Sequence, residues 1–188
     1  MKFTYFGHSC FQLEINDVVL LFDPFITNTP IAQRYGFSIN NLKADFIMLS
    51  HAHDDHSGDL IEAAKSTGAL VVATWEAAVW CNKHGVENVH PMNIGGRKTF
   101  GFGEIQCTNA AHSSSFGDGE YGGNPMGFLI TTEQGVVYYS GDTALTYDMK
   151  IYGELNSIDW AILPIGDNFT MGPRDASIAA TWLKCNKV

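Results

Sequence analysis

The sequence predicts a single α+β domain, spanning residues 1–188, in which two β-sheets pack together under a cover of helices. Three observations lead there. Strand-like runs fall into two groups, one in the first half of the chain and one in its Gly-rich middle. Helical segments are interspersed among them. Hydrophobic residues make up 45% of the 188 positions and charged residues 16%, enough apolar material for one real core and too little charge for a disordered chain.

The elements follow in order. Residues 2–6 and 10–15 read as strands, and the continuous apolar run 18–22 (VVLLF) as a buried one. Residues 45–50 (DFIMLS) form another short apolar run, which ends directly in HAHDDHSGD. Residues 60–66 read as helix, 69–73 as strand and 76–83 as helix, with Gly85 where a helix stop is expected. The second strand group is 98–102, 104–109, 127–132, 136–140 and 160–163. At 170–173, Thr, Gly and Pro mark a helix start with Asp175 in its first turn, which predicts a helix over 173–184. Lys187-Val188 then reads as the opening of a further strand, where strands usually run about 5–6 residues. The expectation is therefore a domain truncated at its C-terminal end.

Composition excludes several function classes. Asp and Glu number 20 against 11 Lys and Arg, a formal net charge of -9, which argues against binding nucleic acid through a general basic surface. No apolar run has the length of a membrane span, and MKFTYFGHSC has no charged leader followed by an apolar stretch and a cleavage site. Cys10, Cys81, Cys107 and Cys185 are scattered without CxxC spacing and read as reduced thiols of a cytoplasmic protein. The expected partner is a small-molecule substrate, with no nucleic acid and no membrane. A homo-oligomer stays open.

The chemistry concentrates at His51, His53, Asp55 and His56, an H-x-H-x-D-H run immediately after a strand. In extended backbone the side chains at i and i+2 point the same way, so His51 and His53 can grip one cation from one side. Imidazole nitrogens and carboxylate oxygens suit zinc and other divalent first-row metals. Asp55 and His56 fall where the chain is turning and can reach a second position, with Gly58 expected to allow the tight turn. The plainer alternative is a solvated polar loop before a helix, with Asp55 or Ser57 as its cap.

Further motifs share this arrangement: YFGHSCF, LLFDPF, TNAAHSSS, YSGDTALTYDM and LPIGDNFTMGP, in that order. With HAHDDH they resemble the metallo-β-lactamase superfamily, and within it the small metal-dependent hydrolases close to L-ascorbate-6-phosphate lactonase. The resemblance implies the αβ/βα four-layer sandwich. It also implies one or two divalent metal ions, zinc first and manganese second. His51, His53 and His112 would serve metal site one, Asp55 and His56 site two, and Asp142 would bridge the two. A final family His on a later strand would complete site two, but no His follows His112 in this sequence. The second ion is therefore expected to be weakly held.

The same resemblance implies hydrolysis of a small ester, lactone or phosphoester by a hydroxide held at the metals, with Asp55 orienting it and accepting its proton. His53, where a Glu would suggest the oxygen-reducing di-iron branch, argues for a hydrolase. The alternatives are an RNA-processing nuclease of the same superfamily and a non-catalytic metal-binding module. Other positions carry less. His8, between two strands, reads as beside the ligands or facing substrate, or as a structural turn. Asp23 is expected to support the metal-binding loop through hydrogen bonds. Asp167 and Asn168 are expected to line the pocket. Asp118, Glu120 and Tyr121 lie in a Gly-rich segment with the composition of a lid, His84 and His90 read as surface residues, and Trp75 and Trp80 as helix–sheet packing.

Overall fold

The computed structural model describes residues 1–27 and 29–188, which form two compact units. The first comprises Met1–Met92 with Ser114–Gly123, and the second Asn93–Ser113 with Asn124–Val188.

The first unit is built on a six-stranded sheet in sequence order: β1 (Lys2–Gly7), β2 (Cys10–Ile15), β3 (Val18–Phe22), β4 (Phe46–Met48), β5 (Leu70–Thr74) and β6 (Val89–Met92). The first three are antiparallel, and β3 to β6 pair in parallel. Asn16 and Asp17, both at positive φ (49° and 66°), make the two-residue turn that sets the β2–β3 register at Ile15↔Val18. The parallel strands need helical crossovers. Between β4 and β5 these are the one-turn α2 (Asp54–Ser57) and α3 (Leu60–Thr67), and between β5 and β6 it is α4 (Trp75–Lys83). Gly68 closes α3 in the left-handed conformation, and the Thr74 side chain caps α4 by accepting from the Ala77 amide. The short helix α1 (Pro30–Tyr35) precedes all of these, started by the Thr29 cap and a Pro in its first turn. The core gathers Leu21, Ile47, Leu49, Val71, Leu60 and Phe116.

The second unit carries a five-stranded sheet of order β11-β10-β9-β8-β7. Its strands are β7 (Arg97–Phe100), β8 (Gly103–Asn109), β9 (Met126–Thr132), β10 (Gly135–Tyr139) and β11 (Trp160–Ile162). All neighbours are antiparallel except β10 and β11, joined through the helix α5 (Asp148–Leu155). Tyr138, Leu129, Met149, Met171 and Leu183 form its core, where α5 and α6 (Pro173–Leu183) come together. Gly153 permits that approach, since a Cβ there would overlap the Trp182 carbonyl.

Most strand and helix expectations lie within a residue or two of these bounds. Several do not. β4 is three residues rather than six, and 54–57 is helical. The helix 30–35, strand β6 and helix α5 carry too little periodicity in their short spans to declare themselves. Trp75 is 63% exposed rather than packed, because it starts α4 on the outward face. Gly58 sits in the ordinary right-handed region, so its turn does not need a glycine φ. It is instead a close approach: a Cβ there would come 2.6 Å from the Asp54 carbonyl oxygen and 3.2 Å from the Phe25 ring. Lys187 pairs in parallel with Trp160, its carbonyl accepting from the Ala161 amide at 2.9 Å. No helix among the described residues is long and apolar enough to cross a membrane.

Candidate metal centre

The histidine run begins where β4 ends, at the carboxyl end of a parallel strand, the usual place for a site in such sheets. Leu49, Ser50, His51 and Ala52 are buried. His53 is the last extended residue before α2, and Asp55 and His56 project from that single turn. Asp23 stands beside them because β3 and β4 are parallel neighbours, its amide continuing the ladder to the Met48 carbonyl at 3.0 Å. It is fully buried and held at φ 42°, a conformation uncommon for a residue with a side chain.

The Asp23 carboxylate organises two histidines. It accepts from the Ser50 amide at 2.7 Å, from the Ser50 hydroxyl at 2.5 Å and from His56 Nδ1 at 2.8 Å. A carboxylate only accepts, so His56 carries its proton on Nδ1. The Ser50 hydroxyl has its proton committed to Asp23, so at 3.0 Å it accepts from His51 Nδ1. In its neutral form each imidazole then carries an unprotonated Nε2, the state in which it binds a cation.

The donor set fits a metal ion. His51 Nε2 lies 3.1 Å from His53 Nδ1. Two imidazole nitrogens sharing one zinc at bonds of 2.0–2.1 Å and a tetrahedral angle stand about 3.3 Å apart. Ligand atoms of His8, Asp55 and His56, and separately of Asp23, His51 and His56, gather within 4.8 Å of one another. Asp55 Oδ2 lies 2.9 Å from His8 Nε2 and 3.9 Å from His56 Nε2. The His8 hydrogen bond holds the Asp55 carboxyl well below the usual carboxylate range, against an opposing effect of partial burial, and His56 adds to the lowering.

In the second unit, His112 follows β8 and Asp142 follows β10, beyond Gly141 at φ 60°. His112 Nε2 and Asp142 Oδ2 are 3.9 Å apart. The buried Thr143 ties their loops: its hydroxyl accepts from the Ala111 amide at 2.9 Å, and its carbonyl accepts from the Met171 amide at 2.9 Å. Asp167 and Asn168 lie in that last loop, both exposed and both at positive φ. The Asp167 carboxylate accepts from the Asn168 amide at 2.9 Å, a contact within its own turn.

Four participants escape sequence reasoning. Ser50 adjoins the histidine run but carries no motif of its own. Asp59 accepts from the Ile26 and Thr27 amides and so holds the loop after Asp23. Ser114 accepts from the Ala52 amide, and Gly122 packs on Ala52. The Gly-rich segment containing Asp118, Glu120 and Tyr121 is docked on α4: Trp80 donates to Asp118 at 2.9 Å, and Lys83 pairs with Glu120 at 2.7 Å. Trp80 stacks there on Phe116, and His84 is exposed as expected, while His90 on β6 is half-buried.

Comparison with known proteins gives the family. Residues 2–188 match the family described as Beta-lactamase superfamily domain. A metal-dependent hydrolase of Bacillus cereus (strain B4264), in the UPF0173 group, is 49% identical over 193 residues, covering 100% of this chain and 83% of the relative. A UPF0173 metal-dependent hydrolase of Methylacidiphilum infernorum is 47% identical over 188 residues, covering 100% of this chain and 82% of the relative. Among solved structures, Igni18, a metallo hydrolase of Ignicoccus hospitalis, matches with TM-score 0.83 and 34% identity over 97% of this chain and 78% of its own. The chain thus has the metallo-β-lactamase fold. It belongs to that superfamily, among its metal-dependent hydrolases.

Proposed function

We propose that this chain hydrolyses a small-molecule ester, lactone or phosphoester at a centre of one or two divalent cations. His51, His53 and His112 would hold the first position, Asp55 and His56 the second, with Asp142 shared. The observation that carries the reading is the Asp23–Ser50 network, which fixes the Nδ1 protons of His51 and His56 and turns both Nε2 atoms toward ligand duty. Zinc is the first candidate and manganese the second. The similarity of the motifs to the L-ascorbate-6-phosphate lactonase branch makes a phosphorylated sugar lactone the first substrate to assay.

A cation bound there would acidify water toward neutral pKa and polarise the scissile group. The residues do the rest. Asp55 is half exposed, so it can reach the attacking water, orient it and take its proton. His8 Nε2 holds the carboxylate in place at Oδ2. With Asp55, His56 and a shared Asp142 at the second position against three histidines at the first, the second ion would be held less tightly. Four cysteines scattered without paired spacing fit a cytoplasmic location.

The test is a panel of lactones, carboxylic esters and phosphoesters, assayed with chelated protein and after zinc or manganese reloading. Metal-restored turnover of one class, lowered about 10²-fold or more in Asp55→Asn, is the expected result. Turnover that is indifferent to chelation would refute it.

A further inference from the structure

The segment Ser114–Gly123 packs with the first unit although the chain on either side of it belongs to the second. It is a tight hairpin: Ser115 bridges Tyr121, the Phe116 amide donates to the Glu120 carbonyl at 2.9 Å, and Gly119 turns the tip at φ 87°. One side is anchored to α4. The Phe116 ring lies 3.9 Å from the Trp80 indole at 5° between planes, alongside the Trp80–Asp118 and Lys83–Glu120 bonds.

The other side meets the histidine run at two points. Ala52, the residue between His51 and His53, donates its amide to Ser114 Oγ at 3.2 Å, and a Cβ on Gly122 would overlap the Ala52 methyl. The Ala52 carbonyl is taken by the Ser57 hydroxyl at 2.8 Å, so the peptide units on both sides of Ala52 are fixed. Asp54, the residue before Asp55, abuts Gly117, where a Cβ would come 2.6 Å from its Oδ1. Thr74 at the end of β5 binds the Gly122 carbonyl at 2.5 Å and closes the arrangement.

We propose that the hairpin Ser114–Gly123 is a clasp that positions the metal-binding run, through Ser114 and Gly122 on Ala52 and Gly117 on Asp54. These are positioning residues. They touch no ligand atom, but they set the backbone between two ligands and the backbone before a third. Alternate residues of an extended segment share a face, so a small rotation at Ala52 swings His51 and His53 apart and opens the 3.1 Å spacing between their nitrogens. A hairpin that served stability alone would have no reason to place two glycines and a serine against this one tripeptide. The metal part of the inference rests on the proposed function; the positioning part does not.

Gly122→Ala is the direct test, since Gly122 lies outside the left-handed region and a methyl there is opposed by the Ala52 methyl first and by the Ser114 hydroxyl, 2.8 Å away, second. Zinc affinity is read by competition with a chromogenic chelator, and hydrogen exchange of residues 51–57 is read on metal-free protein. The expected result is a tenfold or greater loss of affinity, on the scale of losing a partner that orients a ligand, with faster exchange across the run. In an Ala52→Gly background, where the closest opposing atom is gone and only the Ser114 hydroxyl remains, the Gly122→Ala penalty should shrink.

Wild-type affinity and exchange in Gly122→Ala would overturn the proposal, as would an equal penalty in both backgrounds. Should Gly122→Ala fail to fold, Ser114→Ala carries the test: faster exchange at the Ala52 amide and weaker zinc binding support the clasp, and wild-type values of both overturn it. If the wild-type chain binds no zinc while exchange still responds to these changes, the metal reading falls and the clasp stands.

Discussion

Replacing Asp23 by Asn keeps size and shape and removes only the charge and one acceptor, which makes it the sharpest probe of the buried network. Two of the three donors, the Ser50 hydroxyl and His56 Nδ1, land on Oδ2, and the Ser50 amide lands on Oδ1. An Asn amide nitrogen at the Oδ2 position would face His56 Nδ1–H and force that ring into the wrong tautomer. At the Oδ1 position it faces the Ser50 N–H instead. The second orientation costs less. It leaves one buried amide unsatisfied, about 1–3 kcal/mol, and reduces two bonds from charge-assisted to neutral strength, about 1 kcal/mol each. The sum is roughly 3–5 kcal/mol, a large share of the 5–15 kcal/mol typical of a whole protein. Urea unfolding of metal-free protein should show that loss, and chelator competition should show zinc affinity lower by about 10–100-fold. A variant within about 0.5 kcal/mol and threefold of wild type on both measures would show that Asp23 orients neither histidine.

Other outcomes follow from the same structure. His112→Ala should strip the first metal while circular dichroism and metal-free unfolding stay close to wild type; full metal occupancy in that variant would remove His112 from the ligand set. Metal analysis after dialysis of this 188-residue chain should find one ion held firmly and the second lost, whereas two retained ions would mean that another residue supplies a ligand. Burial pushes the Cys81 and Cys107 thiols up to about 12. Their protonated state therefore stabilises the fold fully below the ordinary thiol pKa near 9, and that stability is lost as pH rises from about 9 through about 12. Unfolding free energy should decline across that window, less so in a Cys81→Ala/Cys107→Ala variant. At pH 8 a thiol reagent should label half-buried Cys185 well before Cys10, Cys81 and Cys107, and rapid labelling of all four would contradict the buried placement.

The sequence by itself determined what is local and periodic. Alternation in CFQLEI and the continuous VVLLF gave two adjacent strands with their bounds, because side-chain direction in a strand repeats every two residues whatever the strand packs against. The same rule placed His51 and His53 on one face, and residue chemistry made them candidate ligands. Tertiary structure alone decided everything that joins distant positions. Asp23 reaches Ser50 and His56 only because β3 and β4 pair in parallel with Phe22 opposite Met48. Ser114 reaches Ala52 across 62 positions only because its hairpin docks on α4. Gly58 and Gly122 show the limit most clearly. Both stand where a glycine suggests a turn, yet both are required by a neighbouring atom that a Cβ would strike. Periodicity reports which face of an element is buried. Which atom waits there is set by register and packing, and no window of sequence contains it.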